Sequence, residues 1–489
     1  MFKRLALGLL AVQAVAATRF AMYIDEWHVT ALPGKDKTEG IDYAIMSFAA
    51  STLFNSDTPA AYKPFEPPAT MRNRFSPNTK LMVAIGGWGD TAGFSEGAKD
   101  EASRARYAKN VAAMLDTHGF DGVDIDWEYP GGNGEDYKKI PNSKKVSEIE
   151  TYPLFLEAIR KAIGNKTLSI AVPGRKQDFI AYTKEQGPKI FKSVDIINVM
   201  SYDLMNRRDN VTNHHTGVQG SLDTIDEYLA IGATPEKINL GFAYYAKWFT
   251  TDPNSDCNEN PIGCHLAKLE NDDGSDNGKS GAVTFEASNM SPAPKDLKEG
   301  TGMCGFAAKA KCPSGSCCSA SGYCGTTDQH CQAGCLSDYG TCKGINIIDS
   351  WRKAQKDGKT DAKGGGQYYF DSDNHIFWTW DTPELIARKF TEIVAAKKLG
   401  GVMAWSLGED TYKFEHLAAM QKGLKSHPAK IDGPPKVVTS PKPTMSPKPT
   451  MSPKPETSPK PEVSPKPEVS SKPEPETGCF LCLLDWITG

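Results

Sequence analysis

Short apolar runs alternate with helix-period segments from Arg19 to about Ala243, and again from Gln367 to about Leu407. That alternation predicts βα units around a parallel sheet. The predicted strands are Phe20–Ile24, Tyr43–Phe48, Lys80–Ile85, Gly122–Asp126, Leu168–Val172, Ile196–Ser201, Lys237–Ala243 and Gly401–Trp405. Between them Tyr107, Val111, Met114 and Leu115 follow i, i+4, i+7, i+8 spacing, and Thr382 can cap a helix running to about Lys398. Eight strands are the count of a closed barrel, so the predicted class is α/β, a (β/α)8 TIM barrel and not an open doubly wound sheet. The run Gly86-Gly87-Trp88-Gly89 lacks both the lysine of a P-loop and the spacing of a dinucleotide fingerprint.

On the fourth predicted strand the hydrophobic pattern carries chemistry. Residues 121–128 read Asp-Gly-Val-Asp-Ile-Asp-Trp-Glu. In an extended segment Asp124, Asp126 and Glu128 share one face, and Val123, Ile125 and Trp127 the other. Carboxyls on that face lie about 6 to 7 Å apart at Cα, so they cannot all ionise freely and at least one pKa rises. Such a ladder makes a general acid. Calcium loops of the EF-hand kind require glycine and polar residues between their ligands, which Val, Ile and Trp do not supply; a metal site and a structural acidic cluster stay as alternatives at this level. At the C-terminal end of a barrel strand, Glu128 falls on the face where barrel enzymes build their sites.

Charge and cysteines narrow the setting. The formal charge of −4 gives no drive toward nucleic acid. Lys3 and Arg4, an apolar run Leu5–Val15 and small residues at Ala14, Ala16 and Ala17 predict a cleavable secretory signal over residues 1–17. That run is too short to span a bilayer, and no stable membrane insertion is expected. All 12 cysteines fall in three groups: Cys257 with Cys264, eight between Cys304 and Cys342, and Cys479 with Cys482. Secretion permits disulfides. Asn165, Asn210 and Asn289 head glycosylation sequons. The gap from about Thr250 to Gly366 is too long for a structureless loop and must hold an inserted element. Proline-rich repeats from Ser440 to about Val469 predict an extended stalk over residues 428–477, followed by a short segment, 478–489, of no assigned role.

The ladder resembles the DxxDxDxE signature of glycoside hydrolase family 18, the chitinases. Ala84-Ile-Gly-Gly-Trp88, Met200-Ser-Tyr-Asp203, Phe242-Ala-Tyr-Tyr245 and Gly401-Val-Met-Ala-Trp405 resemble that family's third-, sixth-, seventh- and eighth-strand motifs. The resemblance covers Arg19 to about Leu424, within a catalytic region of 18–427. It implies a secreted enzyme, extracellular or associated with a cell wall, that cuts β-1,4 bonds between N-acetylglucosamine units. Glu128 would be the acid and base, and Asp126 would support the substrate's own acetamido group as nucleophile. Asp124 would share a proton or hydrogen bond with Asp126, Tyr202 would donate to the acetamido carbonyl, and Asp203 would lie in the same subsite. Tyr23, Phe48, Gly87, Trp88, Met200, Tyr245 and Trp405 would bind sugar, with Trp405 as the floor. No cofactor or metal is required, the ligands would be chitin and chitooligosaccharides, and the chain is expected to be a monomer. Two departures stand out: Ala84 replaces the usual serine whose hydroxyl reaches Asp124, and Lys247 stands where arginine is common.

The cysteines at 304, 312, 317, 318, 324, 331, 335 and 342 resemble a hevein-like chitin-binding module at 304–342, inserted between strands seven and eight. The resemblance implies pairs 304–318, 312–324, 317–331 and 335–342; Cys257 and Cys264, a separate group outside the module, are expected to pair with each other. It also implies sugar contacts from Ser319, Tyr323 and His330. Ser321 and His330 stand where aromatics are usual, so weak binding is expected. Two rival functions remain: an endo-β-N-acetylglucosaminidase, and a chitin lectin or toxin-carrier subunit that binds without cutting.

Overall fold

A computed structural model describes residues 18–286, 293–300, 302–306, 308–319, 322–331, 335–344 and 346–427. The predicted signal, stalk and C-terminal segment, together with Asn289 and Ser321, lie outside the described residues. Eight parallel strands close into a barrel. They are β1 (Arg19–Asp25), β2 (Tyr43–Ala49), β3 (Lys80–Gly86), β4 (Gly122–Asp126), β5 (Thr167–Val172), β6 (Ile196–Val199), β7 (Ile238–Ala243) and β8 (Gly401–Trp405). β8 lies between β7 and β1, which completes the ring.

Local signals account for the helical layer. The helix Glu101–His118 starts at Asp100, whose carboxylate accepts the Ser103 amide at 2.8 Å, and stops at Gly119, which takes φ +69°. Its buried Tyr107, Val111, Met114 and Leu115 are the residues the spacing selects. Thr382 caps the helix that precedes β8 through the Leu385 amide, but the α-helical winding ends at Lys389 and widens to a π-helix over Phe390–Ala395. The apolar face continues through that turn, so Phe390, Ile393 and Val394 remain buried.

Strand β6 stops at Val199, two residues short of the predicted end. The chain turns there because the Ser201 amide bonds back to the Val199 carbonyl at 2.8 Å, and the Ser201 hydroxyl bonds to the Gly241 carbonyl at 2.9 Å. The insertion also begins earlier than predicted. Directly after β7, Tyr245–Thr250 enters a separate five-stranded antiparallel sheet with Ser280–Thr284, Lys359–Thr360, Gln367–Asp371 and Ile376–Trp380. The last two are aromatic-rich strands paired as a hairpin, so they are not part of the barrel pattern. The helix Ile347–Asp357 carries Trp351, 1% exposed, which packs on Trp378 and Trp380 and stacks on Phe285 at 5.8 Å.

Between those two rings the chain carries the cysteine-rich stretch. Its bonds join Cys304 to Cys318, Cys312 to Cys324, Cys317 to Cys331 and Cys335 to Cys342, and a fifth joins Cys257 to Cys264. About forty residues cannot build a sufficient core unaided, which is why the cross-links carry the stretch. Among the described residues no helix is long and apolar enough to cross a membrane.

Candidate active site

The period of two on β4 separates structure from chemistry. Val123, Ile125 and Trp127 pack into the layer between barrel and helices, each fully buried. Trp127 stacks on Phe94 at 5.4 Å and meets Tyr152 edge-on at 5.6 Å. The alternate residues therefore face the barrel interior.

Asp124 is the deepest of them. It accepts from Ser169 at 2.5 Å, Tyr23 at 2.9 Å and Asn198 at 3.2 Å. Burial pushes its carboxyl up to about 6, against the pull of these donors. Asn198 also reaches Tyr23 and accepts from Asn239, which extends a polar column down the barrel. Ala84 sits opposite Asp124 in the β3–β4 register. The hydroxyl missing at Ala84 is thus matched by one from Ser169, Asp124's partner across β4–β5.

Asp126 is 4% exposed, and its Oδ1 has no hydrogen-bond partner among the described residues. The expected hydrogen bond between Asp126 and Asp124 is absent among the described residues, although Asp124 Oδ2 accepts only from Tyr23 and keeps a lone pair free. The two carboxyls interact through charge instead: burial raises Asp126 well above the usual range, and Glu128 and Asp124 add to it. Glu128 is pushed up to about 8, chiefly by burial, while a hydrogen bond with Tyr129 and the charge of Arg208 pull the other way. It therefore holds its proton at neutral pH.

Asp126 and Glu128 open into a cavity whose wall includes Tyr23, Trp88, Met200, Tyr202, Tyr245 and Trp405. The Tyr202 hydroxyl lies 3.9 Å from the Met403 sulfur, and burial, with the charges of Asp126 and Glu128, raises its pKa and keeps it protonated. Asp203, in the left-handed region at φ +52°, lines the same cavity. Lys247 answers it at 3.1 Å from the adjoining sheet, with His215 at 3.6 Å, and holds its carboxyl below the usual range against the cost of burial.

Two predicted contacts stand behind the wall. Phe48 stacks on Trp405 at 5.5 Å and 10° and is not part of the lining. Gly87, at φ +92°, lets that ring close in, since a Cβ there would lie 2.8 Å from it. Neither residue belongs to the lining of this cavity. In the cysteine-rich stretch, Tyr323 is 44% exposed and its amide bonds the Ser319 hydroxyl at 3.1 Å, while His330 pairs with Thr327 at 2.7 Å.

The motifs passed over Ser169, Asn198, Asp178, Arg208 and Glu409. Ser169 and Asn198 carry a signal: each is a polar residue inside an apolar run, on the inward register. Asp178 ends the short 3-10 helix Lys176–Asp178, Arg208 lies on a loop, and both line the cavity. Arg208 sits 5.4 Å over Trp88 and 4.0 Å over Tyr137, a clamp that no local spacing predicts.

Known proteins resemble this chain in sequence and in fold. Chitinase 1 of Aphanocladium album is 27% identical over 266 residues, covering 48% of this chain and 61% of that protein. Endochitinase 1 of Metarhizium robertsii is 31% identical over 185 residues, covering 35% of this chain and 42% of that protein. The chain thus spans less than two thirds of the length of either relative. Among solved structures, a chitinase from Rhizomucor miehei superposes with TM-score 0.58 at 16% identity, covering 83% of this chain and 99% of that one. A mutant family 18 chitinase from Cycas revoluta in complex with (GlcNAc)4 gives 0.55 at 17%, with the same coverage. Residues 19–410 match the glycosyl hydrolases family 18. With that match over most of the chain, and the barrel that these structures share, the protein belongs to family 18 of the glycosyl hydrolases.

Proposed function

We propose that the protein is a chitinase that hydrolyses β-1,4 bonds between N-acetylglucosamine units with retention at the anomeric carbon. The observation that carries this reading is the buried carboxyl series: Glu128 protonated at the cavity, Asp126 beside it, and Asp124 anchored below. Glu128 gives its proton to the glycosidic oxygen as the C1–O bond breaks. The acetamido carbonyl oxygen of the same sugar bonds to C1, so the protein supplies no nucleophile. The Tyr202 hydroxyl donates to that carbonyl. Positive charge builds on the acetamido nitrogen, and Asp126 meets it by passing its proton toward the ionised Asp124. Water then attacks C1 as the bond from C1 to the acetamido oxygen breaks, the Glu128 carboxylate takes the water's proton, and the proton on Asp124 returns to Asp126. Trp405, Tyr245 and Trp88 offer the flat apolar faces that sugar rings stack on.

The names of the relatives and the (GlcNAc)4 bound by the Cycas revoluta enzyme support the same ligand class. The cross-linked stretch 304–342 is read as a weak chitin-binding module with Tyr323 as its sugar-facing ring, and the five disulfides support secretion. Proton NMR of oligosaccharide hydrolysis tests the mechanism. The first product should be the β-anomer, and Glu128→Gln should lose about a thousandfold in rate. An initial α-anomer, or undiminished activity in the variant, would sink it.

A further inference from the structure

The mechanism above leaves two buried carboxyls in the cavity wall unused, Asp178, which accepts from Asn133, and Glu409. Glu409 ends the short turn Leu407–Glu409 after β8, is 3% exposed, and forms part of the wall with Trp405. Its Oε1 accepts the Trp405 indole N–H at 3.1 Å. Its Oε2 is buried and has no hydrogen-bond partner among the described residues. Buried polar atoms in native proteins nearly always have partners, so an orphan in a cavity wall marks where a ligand group docks.

Glu409 is also held from behind. His28 Nδ1 lies 3.8 Å from Oε1 and 2.7 Å from Asp25 Oδ1, and its Nε2 lies 3.3 Å from Glu286. Asp25 is itself fixed, because Oδ1 accepts the Trp27 and His28 amides at 2.9 Å and Oδ2 accepts the Ser406 hydroxyl. These donors occupy the Asp25 oxygens that a metal ion would need, and the His28 ring, whose pKa is raised to about 10, already supplies the positive charge. The cluster is built to position a side chain.

We propose that Glu409 is a substrate-binding residue: its Oε2–H donates to one hydroxyl oxygen of the sugar resting on Trp405, and Asp25 and His28 act as positioning residues. Burial favours the neutral acid in this setting, outweighing the opposing charge of His28. One carboxyl then fixes the orientation of the aromatic floor through Oε1 and the rotation of the sugar on it through Oε2. The inference rests on the carbohydrate reading of the cleft.

The test uses the full chain with Glu128→Gln, which binds without cutting, titrated with chitotetraose by calorimetry. Adding Glu409→Leu should raise Kd about tenfold, the effect of one buried hydrogen bond. Adding Glu409→Gln should keep Kd within about threefold, because the amide preserves one acceptor and one donor. Unchanged Kd in Glu409→Leu would overturn the proposal, as would an equal loss in Glu409→Gln, which would assign the effect to packing. If the Glu128→Gln parent itself fails to bind chitotetraose, the ligand class falls and the inference falls with it. That outcome is distinct from failure of Glu409 alone.

Discussion

Ser169→Ala isolates the role of proton sharing in the barrel. The Ser169 hydroxyl is the closest of the three donors to Asp124, at 2.5 Å. A hydrogen bond to a charged group contributes about 1.5–3 kcal/mol, and one pKa unit corresponds to about 1.4 kcal/mol. Donors favour the ionised form, so losing one raises Asp124 by about 1–2 units from its value of about 6. The proposed mechanism works between two limits: Asp124 must be ionised to take the proton of Asp126, and Glu128, near 8, must keep its own. Activity therefore falls at the acid side as Asp124 protonates, and at the alkaline side as Glu128 ionises. In Ser169→Ala the acid limb of kcat/KM moves up toward the alkaline one. The maximum drops about twofold, and activity at pH 6 drops about tenfold. Ala84→Ser restores a hydroxyl opposite Asp124, so it shifts the acid limb down alone and offsets Ser169→Ala in the double variant. The assay is kcat/KM on soluble oligosaccharide from pH 4 to 9, with melting temperature recorded beside it. A variant that melts like the wild type and gives a superimposable pH profile would refute the assignment of the acid limb to Asp124.

Three further outcomes follow from the geometry. Trp405→Ala removes the ring between Phe48 and the cavity and should raise KM about tenfold or more; an unchanged KM would exclude Trp405 as the floor. Trp127→Ala empties a fully buried aromatic site on the outer face of β4 and should cost about 3–5 kcal/mol in denaturant unfolding; a cost below about 1 kcal/mol would contradict that packing. Mild reduction should open residues 304–342 to protease while hydrolysis of soluble oligosaccharides stays within about twofold, since the cross-links close local loops. Activity lost in step with reduction would tie that stretch to the barrel's chemistry.

The barrel was legible because each strand is a compact apolar run and the acidic ladder interrupts one of them at strict alternation. The ends were less so. Met200 continues the apolar run of β6, but side-chain and backbone bonds at Ser201 turn the chain away from the strand. Gly87 and Phe48 belong to motifs that name a neighbourhood, and only the close approach of ring to backbone separates a wall from its support. Ala84 registered as a loss; its counterpart at Ser169 lies on a different strand, where a serine in an apolar run has many readings. Asp25, His28 and Glu409 were silent for the same reason, because β1 and β8 become neighbours only when the barrel closes.

The stack of Phe285 on Trp351 has an evolutionary consequence. These two rings clasp the neck of residues 286–350, and Phe285 also stacks on His416 of the final helix at 4.7 Å. The stretch between the two rings is therefore a cassette: both of its stems leave from rings packed on the enzyme, Phe285 on His416 and Trp351 on Trp378 and Trp380. Shortening such a loop about tenfold changes its closure entropy by only roughly 2 kcal/mol. Lineages of this enzyme could gain, lose or exchange the cross-linked stretch at that neck while the barrel and its carboxyls stay as they are.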